Sequence, residues 1–387
     1  MAEAGSPKKL PLDALWRART SKFGDFASYD MPLQFEGLIA EHNWTRQHAG
    51  LFDVSHMGPC FFALPKGHGL EGDEAHKKVA SLVERLVPAD IQGLKAGQVR
   101  YTMLLNEEGG VLDDLMIARP AEPGAAGDLY IVVNAGCKHQ DWALIEAATK
   151  GEANLVRADD RCLLALQGPS AELVARAAIG DELGAMGFMQ VKRFDAFGRI
   201  TVTRSGYTGE DGYEILVCAE HAVALAEALL AHAEVKPIGL GARDSLRLEA
   251  GLCLYGHDLD TTTSPIEADL AWTIQKRRRE AGDFPGAKRI KREMELGPSR
   301  KRVGLRPKDR APAREGVVIE KDGKAIGLVT SGGFSPVLNA PISMGYVEAQ
   351  FAAPGAELDL IVRGQKRPAE VVALPFVTHR YHRSKKA

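Results

Sequence analysis

Residues 316–330 read Gly-Val-Val-Ile-Glu-Lys-Asp-Gly-Lys-Ala-Ile-Gly-Leu-Val-Thr, which is two short β-rich runs separated by a turn. An Asp-Gly pair between such runs, here Asp322-Gly323, is a strong local signal for a two-residue β-hairpin. Two more β-rich runs follow, Glu357–Val362 and Glu370–Leu374, with Gly, Pro, Asn and Asp between them. The pattern predicts that roughly the last 85 residues form a small all-β barrel or sandwich.

Upstream of this region, from Phe26 to about Ala268, β-rich runs alternate with helical stretches. The β-rich runs are Leu129–Val133, Cys162–Leu166, Arg199–Thr203 and Tyr213–Val217, and the helical stretches are Glu74–Leu86, Lys138–Ala148, Ser170–Ala178 and His221–Ala233. The spacing allows α/β or α+β, and we favour α+β because the connections lack the uniform rhythm of a doubly wound sheet. Residues 1–25 are polar, and we expect them to trail before the fold.

Composition excludes several classes of protein. The 387 residues include 49 Lys and Arg against 51 Asp and Glu, so the net charge of −2 argues against wholesale polyanion binding. A hydrophobic content of 45% excludes a mostly disordered chain. No apolar window is long enough to predict a membrane span, and the N-terminus matches neither a signal peptide nor a transit peptide. Five scattered cysteines without a Cys-x-x-Cys motif predict reduced thiols in a cytoplasm-like compartment.

A basic stretch, Lys276–Arg302, separates the two regions and is interpreted as a domain connection. We place the domain boundaries at 26–295 and 296–383. The stretch is either a solvated connection or a docking surface for an acidic partner, with Arg278 and Arg279 as its candidate contacts. Nucleic acid is a poorer fit, because aromatic residues are not interleaved with the charges.

Nucleotide-binding glycine loops, zinc-protease motifs and nucleophile elbows are absent from the sequence. Asp53, Ser55 and His56 lie close together, but residues i, i+2 and i+3 rarely face one another as a hydrolase triad requires. Asp113 and Asp114 are neighbours on a predicted strand, so one should face a pocket or core and the other solvent.

Two further clusters carry charge near glycines. Glu214, on a predicted strand, suits bidentate recognition of an N–H pair, such as a guanidinium or the amino-pyrimidine edge of a pterin; a cross-strand ion pair is the alternative. Arg243 and Arg247 share one face of a predicted helix and either hold a ligand's carboxylates or form surface salt bridges. These patterns alone indicate a multidomain protein, most simply an enzyme for an anionic or amino-bearing small ligand.

At these clusters the sequence resembles the aminomethyltransferase (T-protein) family of the glycine cleavage system. The matching segments follow the family order along nearly the whole chain: Tyr29–Pro32, Trp44–Arg46, Gly50–Met57, Asn106–Leu115, Val133–Cys137, Ala165–Pro169, Gly206–Gly212, Ala242–Tyr255, Lys276–Arg279, Asp283–Ala287, Thr330–Gly332, Met344–Val347 and Pro375–Val377. Ser28 departs from the glycine that the family usually has there.

The resemblance implies an α+β fold of two interleaved folate-binding domains, followed by a C-terminal antiparallel β-barrel. It also implies a reaction. The one-carbon unit passes from the aminomethyl-lipoyl arm of the carrier H-protein to tetrahydrofolate, giving 5,10-methylenetetrahydrofolate, ammonia and the dihydrolipoyl carrier. Tetrahydrofolate is then a co-substrate, and no metal, nucleic acid or membrane is implied.

The resemblance also implies roles for individual residues. Asp114 matches the carboxylate near the reacting folate nitrogens, which accepts a proton or makes the attacking nitrogen more nucleophilic. Glu214 matches the carboxylate that grips the pterin edge, and Arg243 matches a substrate-contacting arginine. Asn134 and Tyr101 match positions that line the folate pocket, and Tyr381 matches a C-terminal contact.

Two related classes remain as alternatives. The folate-binding halves of dimethylglycine and sarcosine oxidising enzymes share these motifs, but they normally follow a flavin domain, and no dinucleotide fingerprint is present here. A folate-binding helper of iron–sulfur cluster assembly has a Lys-Gly-Cys-Tyr-x-Gly-Gln-Glu segment that this sequence lacks. We expect a cytoplasmic protein if the source is bacterial, and a mitochondrial matrix protein if it is eukaryotic.

Overall fold

The fold is seen in a computed structural model that describes residues 6–383. Its helices are α1 Asp13–Arg17, α2 Leu38–Gln47, α3 Gly72–Val83, α4 Lys138–Thr149, α5 Ala171–Ala178, α6 Ala219–Leu230, α7 Leu240–Glu249, α8 Lys276–Ala281 and α9 Ala287–Leu296. Its strands are β1 Lys8–Lys9, β2 Phe23–Phe26, β3 Tyr29–Pro32, β4 Ala49–Asp53, β5 Gly58–Ala63, β6 Gln98–Leu105, β7 Val111–Arg119, β8 Asp128–Val133, β9 Asn154–Arg157, β10 Arg161–Gln167, β11 Val191–Asp195, β12 Arg199–Thr203, β13 Gly212–Cys218, β14 Val235–Pro237, β15 Arg300–Pro307, β16 Val318–Lys321, β17 Lys324–Ser335, β18 Ala340–Glu348, β19 Glu357–Val362 and β20 Gln365–Val372.

Two large sheets are interleaved along the chain. After β4 the chain leaves the first sheet, builds a five-stranded sheet in the order β6-β7-β8-β5-β9, and then returns. The returning strands complete a six-stranded sheet in the order β11-β12-β13-β10-β4-β14. The predicted α+β fold with two interleaved domains is therefore confirmed.

The side chains of each strand alternate between two environments, as a pleated strand requires. On β13, Tyr213 and Ile215 pack in the cluster under α5 and α6, whereas Leu216 packs against the other sheet. On β7, Leu115 and Ile117 pack in the cluster under α3 and α4. The molecule thus has helices outside and two sheets inside, and the inner faces of the sheets share one apolar cluster.

The C-terminal strands form a closed barrel in the order β15-β18-β17-β16-β19-β20. The predicted hairpin joins β16 to β17, and Asp322 and Gly323 both adopt positive φ, 51° and 79°. Two consecutive left-handed residues define the turn that suits the twist of a hairpin. The barrel prediction is confirmed.

The prediction that residues 1–25 trail before the fold is wrong for the part that the structure describes. Leu10, Leu12 and Trp16 are buried in the cluster with α5 and α6. The indole N–H of Trp16 donates to the buried carboxylate of Asp53 at 2.6 Å. The segment is polar on average, but these three apolar side chains cover one edge of the core.

The departure at Ser28 lies in the turn between β2 and β3. Ala27 and Ser28 hold φ of 51° and 65°, in the left-handed region. Glycine adopts this conformation without a steric cost. Serine therefore occupies a conformation that suits the family's glycine better.

The basic connection is largely paired within the protein. Arg278 is 1% exposed, and its guanidinium contacts Asp283 and the carbonyl oxygens of Glu84 and Val87. The hypothesis that Arg278 contacts a partner is therefore wrong, whereas Arg279 remains exposed. The helices between residues 6 and 383 include none that is long and apolar enough to cross a membrane.

Candidate functional site

Three of the predicted site residues lie on the inner layer between the two sheets. Tyr101 on β6 and Asp114 on β7 share the face of the five-stranded sheet that carries Val99 and Ala118 into the inter-sheet cluster. Glu214 on β13 lies on the matching face of the other sheet and lines a small cleft between the two. Pleat geometry thus turns residues that are distant in sequence toward one space.

Asp114 is held by two donors. The Tyr101 hydroxyl donates to its Oδ2 at 3.0 Å, and the Asn134 amide donates to its Oδ1 at 2.9 Å. Burial, followed by the charge of Asp113, raises the pKa of Asp114 to about 7, although both hydrogen bonds favour the carboxylate. A carboxyl group that titrates near neutral pH suits general acid or base catalysis.

Asp113 does not face solvent, so the prediction that one of the two neighbouring carboxylates would do so is wrong. Asp113 is fully buried toward the helix layer, and Asp114 is half-buried toward the inner layer. The backbone N–H of Asn134 donates to Asp113 Oδ2 at 3.0 Å, and its amide donates to Asp113 Oδ1 at 2.9 Å. Asn134 therefore ties the two carboxylates together from the end of β8.

Glu214 has one partner among the described residues. The hydroxyl of Ser205 donates to its Oε2 at 2.9 Å, and Ser205 also contacts the hydroxyl of Thr203 at 2.8 Å. The cross-strand ion pair that we considered as an alternative does not form within residues 6–383. Its second oxygen, Oε1, is free to accept a hydrogen bond from a ligand.

Arg243 reaches the same space from α7. Its guanidinium carbon lies 4.9 Å from the ring centroid of Tyr207, and its buried Nη1 has no hydrogen-bond partner among the described residues. Burial lowers the pKa of Arg243, and the charge of Glu214 opposes this shift. A buried guanidinium N–H without an acceptor costs free energy. A bound ligand with an acceptor atom at this position would remove that cost.

Tyr381 lies apart from the other five predicted residues. Its ring stacks on Phe188 at 4.0 Å with an interplanar angle of 6°. Burial raises the pKa of its hydroxyl to about 12. It lines a cavity of about 660 Å³ with Glu210, Asp211 and Arg380, and none of the other five residues lines that cavity.

Two aromatic residues at the site escaped the sequence analysis. Tyr207 lies under Arg243, and its hydroxyl donates to the carbonyl oxygen of Cys253. Trp272 stacks on Tyr101 with ring centroids 5.9 Å apart, yet it is 64% exposed. The signal for Tyr207 was its place beside Thr208 in a glycine-bounded loop; an isolated Trp272 gave no local signal.

The structure does not assemble Asp53, Ser55 and His56 into a triad: Asp53 ends β4, whereas Ser55 and His56 lie in the turn that follows it. Asp53 accepts from Trp16 and from the backbone N–H of Ser55. His56 is buried, and desolvation lowers its pKa to about 3, so its ring is neutral. The side chains show no nucleophile–base hydrogen bond that a hydrolase would need.

Comparisons with known proteins agree with this architecture. Residues 12–278 match the model of the GCVT N-terminal domain, and residues 300–378 match that of the glycine cleavage T-protein C-terminal barrel domain. The mitochondrial aminomethyltransferase of Gallus gallus is 44% identical, covering 98% of this chain and 94% of its own. The human mitochondrial aminomethyltransferase is 41% identical, covering 97% and 91%.

A solved structure gives the same result in three dimensions. The crystal structure of glycine cleavage system aminomethyltransferase T from Bartonella henselae is 43% identical, with a TM-score of 0.89. The match covers 98% of this chain and 100% of that one. The chain therefore belongs to the aminomethyltransferase (T-protein) family of the glycine cleavage system.

Proposed function

We propose that this protein transfers the one-carbon unit of an aminomethylated lipoyl carrier to tetrahydrofolate, releasing ammonia. The observation that carries the proposal is the match to aminomethyltransferases over nearly the full length of the chain. The carbon–sulfur bond to the lipoyl arm breaks, the methylene carbon becomes bonded to two folate nitrogens, and the amino nitrogen leaves as ammonia. The protein must hold the reactants in line and move protons.

The inner layer between the sheets supplies groups for these tasks. Asp114 takes a proton from the attacking folate nitrogen or polarises it, with Tyr101 and Asn134 fixing the orientation of its carboxylate. Glu214 offers an unpaired oxygen that suits the N–H pair of a pterin edge. Arg243 offers its buried Nη1 to an acceptor atom of the substrate. Tyr381 contacts the substrate beyond this layer.

A group that could hold a metal ion, with three or more His, Cys, Asp and Glu side chains, does not occur within residues 6–383. Tetrahydrofolate needs no such ligands, because it carries the accepting nitrogens itself. The unpaired acceptor on Glu214 and the unpaired donor on Arg243 fit a ligand that has both donors and acceptors.

The reaction is tested by measuring ammonia release from aminomethylated carrier protein, with and without tetrahydrofolate. Folate-dependent release supports the transferase. Tight folate binding without turnover would support the cluster-assembly helper instead and overturn the proposal.

The first prediction concerns Asp114→Asn. The amide keeps the size of the side chain but cannot accept a proton, so turnover should fall by more than about tenfold while folate affinity changes little. Single-turnover ammonia release and equilibrium folate binding measure the two effects separately. Activity equal to that of the wild type would remove Asp114 from the mechanism.

The second prediction concerns the approach of the carrier. We propose that it docks beside the exposed ring of Trp272, where Lys276 and Arg279 on α8 supply positive charge. The double variant Lys276→Glu/Arg279→Glu should raise the KM for an acidic carrier several-fold and weaken its dependence on salt.

The matched control for docking is Lys66→Glu. Lys66 is exposed and follows β5 at the end of the sheet opposite Asn134, as the pairing of Gly58 with Val133 and of Ala63 with Asp128 shows. It should leave the KM unchanged. An unchanged salt dependence in the double variant would refute the docking site.

The compartment remains a prediction. The curated relatives of animals, plants and fungi are named mitochondrial. We propose the mitochondrial matrix for a eukaryotic source and the cytoplasm for a bacterial one, and fractionation of the source cells with an antibody to the chain would decide.

A further inference from the structure

A buried carboxyl group behind the site has no role in the proposed reaction so far. Asp141 lies in the first turn of α4 and is 0% exposed. Neither of its oxygens accepts a hydrogen bond from a described N–H or hydroxyl group. Burying an unpaired carboxylate costs several kcal/mol, so an unpartnered ionised side chain here would be strongly destabilising.

The partner of Asp141 is the carboxylate of Asp113. Asp113 points from β7 to the helix side of the five-stranded sheet, where α4 packs, and the two carboxyl groups lie within hydrogen-bonding contact. Two carboxylates cannot share such a contact unless one of them carries the proton. Since Asp113 already accepts two hydrogen bonds from Asn134, the proton belongs to Asp141.

The groups that surround Asp141 support this assignment. Asp113 faces it from β7, Cys137 from the residue before α4, Cys60 from β5 and Tyr255 from the loop after α7, and the charge of Asp114 acts on it from the other face of the sheet. The described residues supply no salt bridge to Asp141. Burial and then the charge of Asp113 raise its pKa to about 10.

The position of Asp141 at a helix N-terminus would by itself favour a negative charge. That effect is small compared with the cost of removing an ionised carboxylate from water. Desolvation therefore decides, and Asp141 remains a neutral acid at neutral pH.

We propose that Asp141 is a positioning residue, which donates a hydrogen bond to Asp113 so that Asp113 holds Asn134 in the orientation that Asp114 requires. The chain of contacts is continuous. Asn134 uses one amide group for both Asp113 Oδ1 and Asp114 Oδ1, each at 2.9 Å. Without this donor, the buried carboxylate of Asp113 would bind a proton more readily and would no longer accept both hydrogen bonds from Asn134. Asn134 could then turn, and Asp114 would lose its fixed orientation. This inference rests on the proposed catalytic role of Asp114.

Two variants separate the hydrogen bond from simple packing. In Asp141→Asn the amide can still donate to Asp113, so kcat should remain within about threefold of wild type. In Asp141→Leu the branching of the side chain is kept but the donor is lost, so kcat should fall at least about tenfold while the KM for tetrahydrofolate changes less than about threefold. Both are measured on enzyme whose folded fraction is verified by circular dichroism.

A second measurement does not depend on activity or on whether the leucine variant folds. The infrared spectrum of wild type at pH 8, minus that of Asp141→Asn at the same pH, should contain the carbonyl band of a protonated carboxyl group. Absence of this band in the wild type, equal loss of kcat in both variants, or a leucine variant with wild-type kcat would each overturn the role of Asp141. If wild type itself releases no ammonia, the proposed function fails, and the infrared band still tests the hydrogen bond.

Discussion

At the scale of single residues, Asp114 is governed by opposing effects. Burial and the neighbouring Asp113 raise its pKa to about 7, while the hydrogen bonds from Tyr101 and Asn134 lower it. If the carboxylate is the reactive form, kcat/KM rises as the pH rises through the pKa of Asp114, which gives an acid limb near neutral pH.

The third prediction follows from removing one of these donors. Tyr101→Phe deletes the hydroxyl that favours the carboxylate, so the pKa of Asp114 should rise and the acid limb should move to higher pH by up to about one unit. On the alkaline plateau the carboxylate is fully formed, so any loss of activity there measures what the Tyr101 hydroxyl contributes to orienting it, separately from the shift of the limb. The measurement is the pH dependence of kcat/KM between pH 5 and 9.

Tyr130→Phe is the control for this shift. Tyr130 is 3% exposed and lines the same inter-sheet cleft near Glu214, but it makes no hydrogen bond to Asp114. Its acid limb should stay where the wild type has it. A limb that moves to lower pH in Tyr101→Phe would contradict the hydrogen-bond argument.

At the scale of secondary-structure elements, α7 joins the site to the barrel. One turn after Arg243, the buried guanidinium of Arg247 bonds to Asp258 at 2.8 Å and to the Ser331 hydroxyl of β17 at 3.0 Å. At the end of α7, Glu249 accepts from Ser335 at 2.5 Å. The helix that carries Arg243 is thereby fixed to the barrel wall.

The fourth prediction measures this connection. Arg247→Met leaves the fully buried Asp258 without its cation, which should cost about 3 kcal/mol, near the lower end for a broken buried pair because Thr330 and Ser331 still donate to Asp258. The thermal midpoint should fall by several degrees. Asp244→Ala, which removes a 60% exposed carboxylate from the same arginine, should cost less than about 1 kcal/mol. Equal losses in the two variants would contradict the buried-pair explanation.

Elements were predictable where their signals are local. The hairpin at Asp322-Gly323 and the strand Arg199–Thr203 depend on neighbouring residues, and both appear as expected. The convergence of Asp114 and Glu214 depends on two sheets packing face to face, which no spacing in the sequence encodes. The burial of Arg278 likewise depends on carbonyl oxygens nearly 200 residues away. Its charge alone therefore predicted an exposed side chain, which is wrong.

At the scale of the whole molecule, the layered arrangement has a consequence for stability. Asp141 is buried beneath the helices, and Asp114 is partly buried between the two sheets. Both carboxyl groups therefore bind protons more tightly in the folded state than in the unfolded one. Where the native state holds more protons, the free energy of unfolding falls as the pH rises, by up to about 1.4 kcal/mol per unit and group. Buried histidines such as His56, whose pKa is lowered to about 3, act in the opposite direction below about pH 6.5.

The fifth prediction isolates Asp141 from these other groups. Its pKa is raised to about 10, so its contribution is lost progressively from the ordinary pKa of an aspartate up to that value. Asp141→Asn removes this dependence, so the urea midpoint of the variant should rise relative to that of wild type as the pH rises from about 5 to 8. Asp195→Asn, which changes an exposed carboxylate at the end of β11, should instead follow the wild-type curve in parallel. Parallel curves for Asp141→Asn as well would mean that Asp141 is already ionised at neutral pH, and the helix layer would then have to contain a cation that pairs with it.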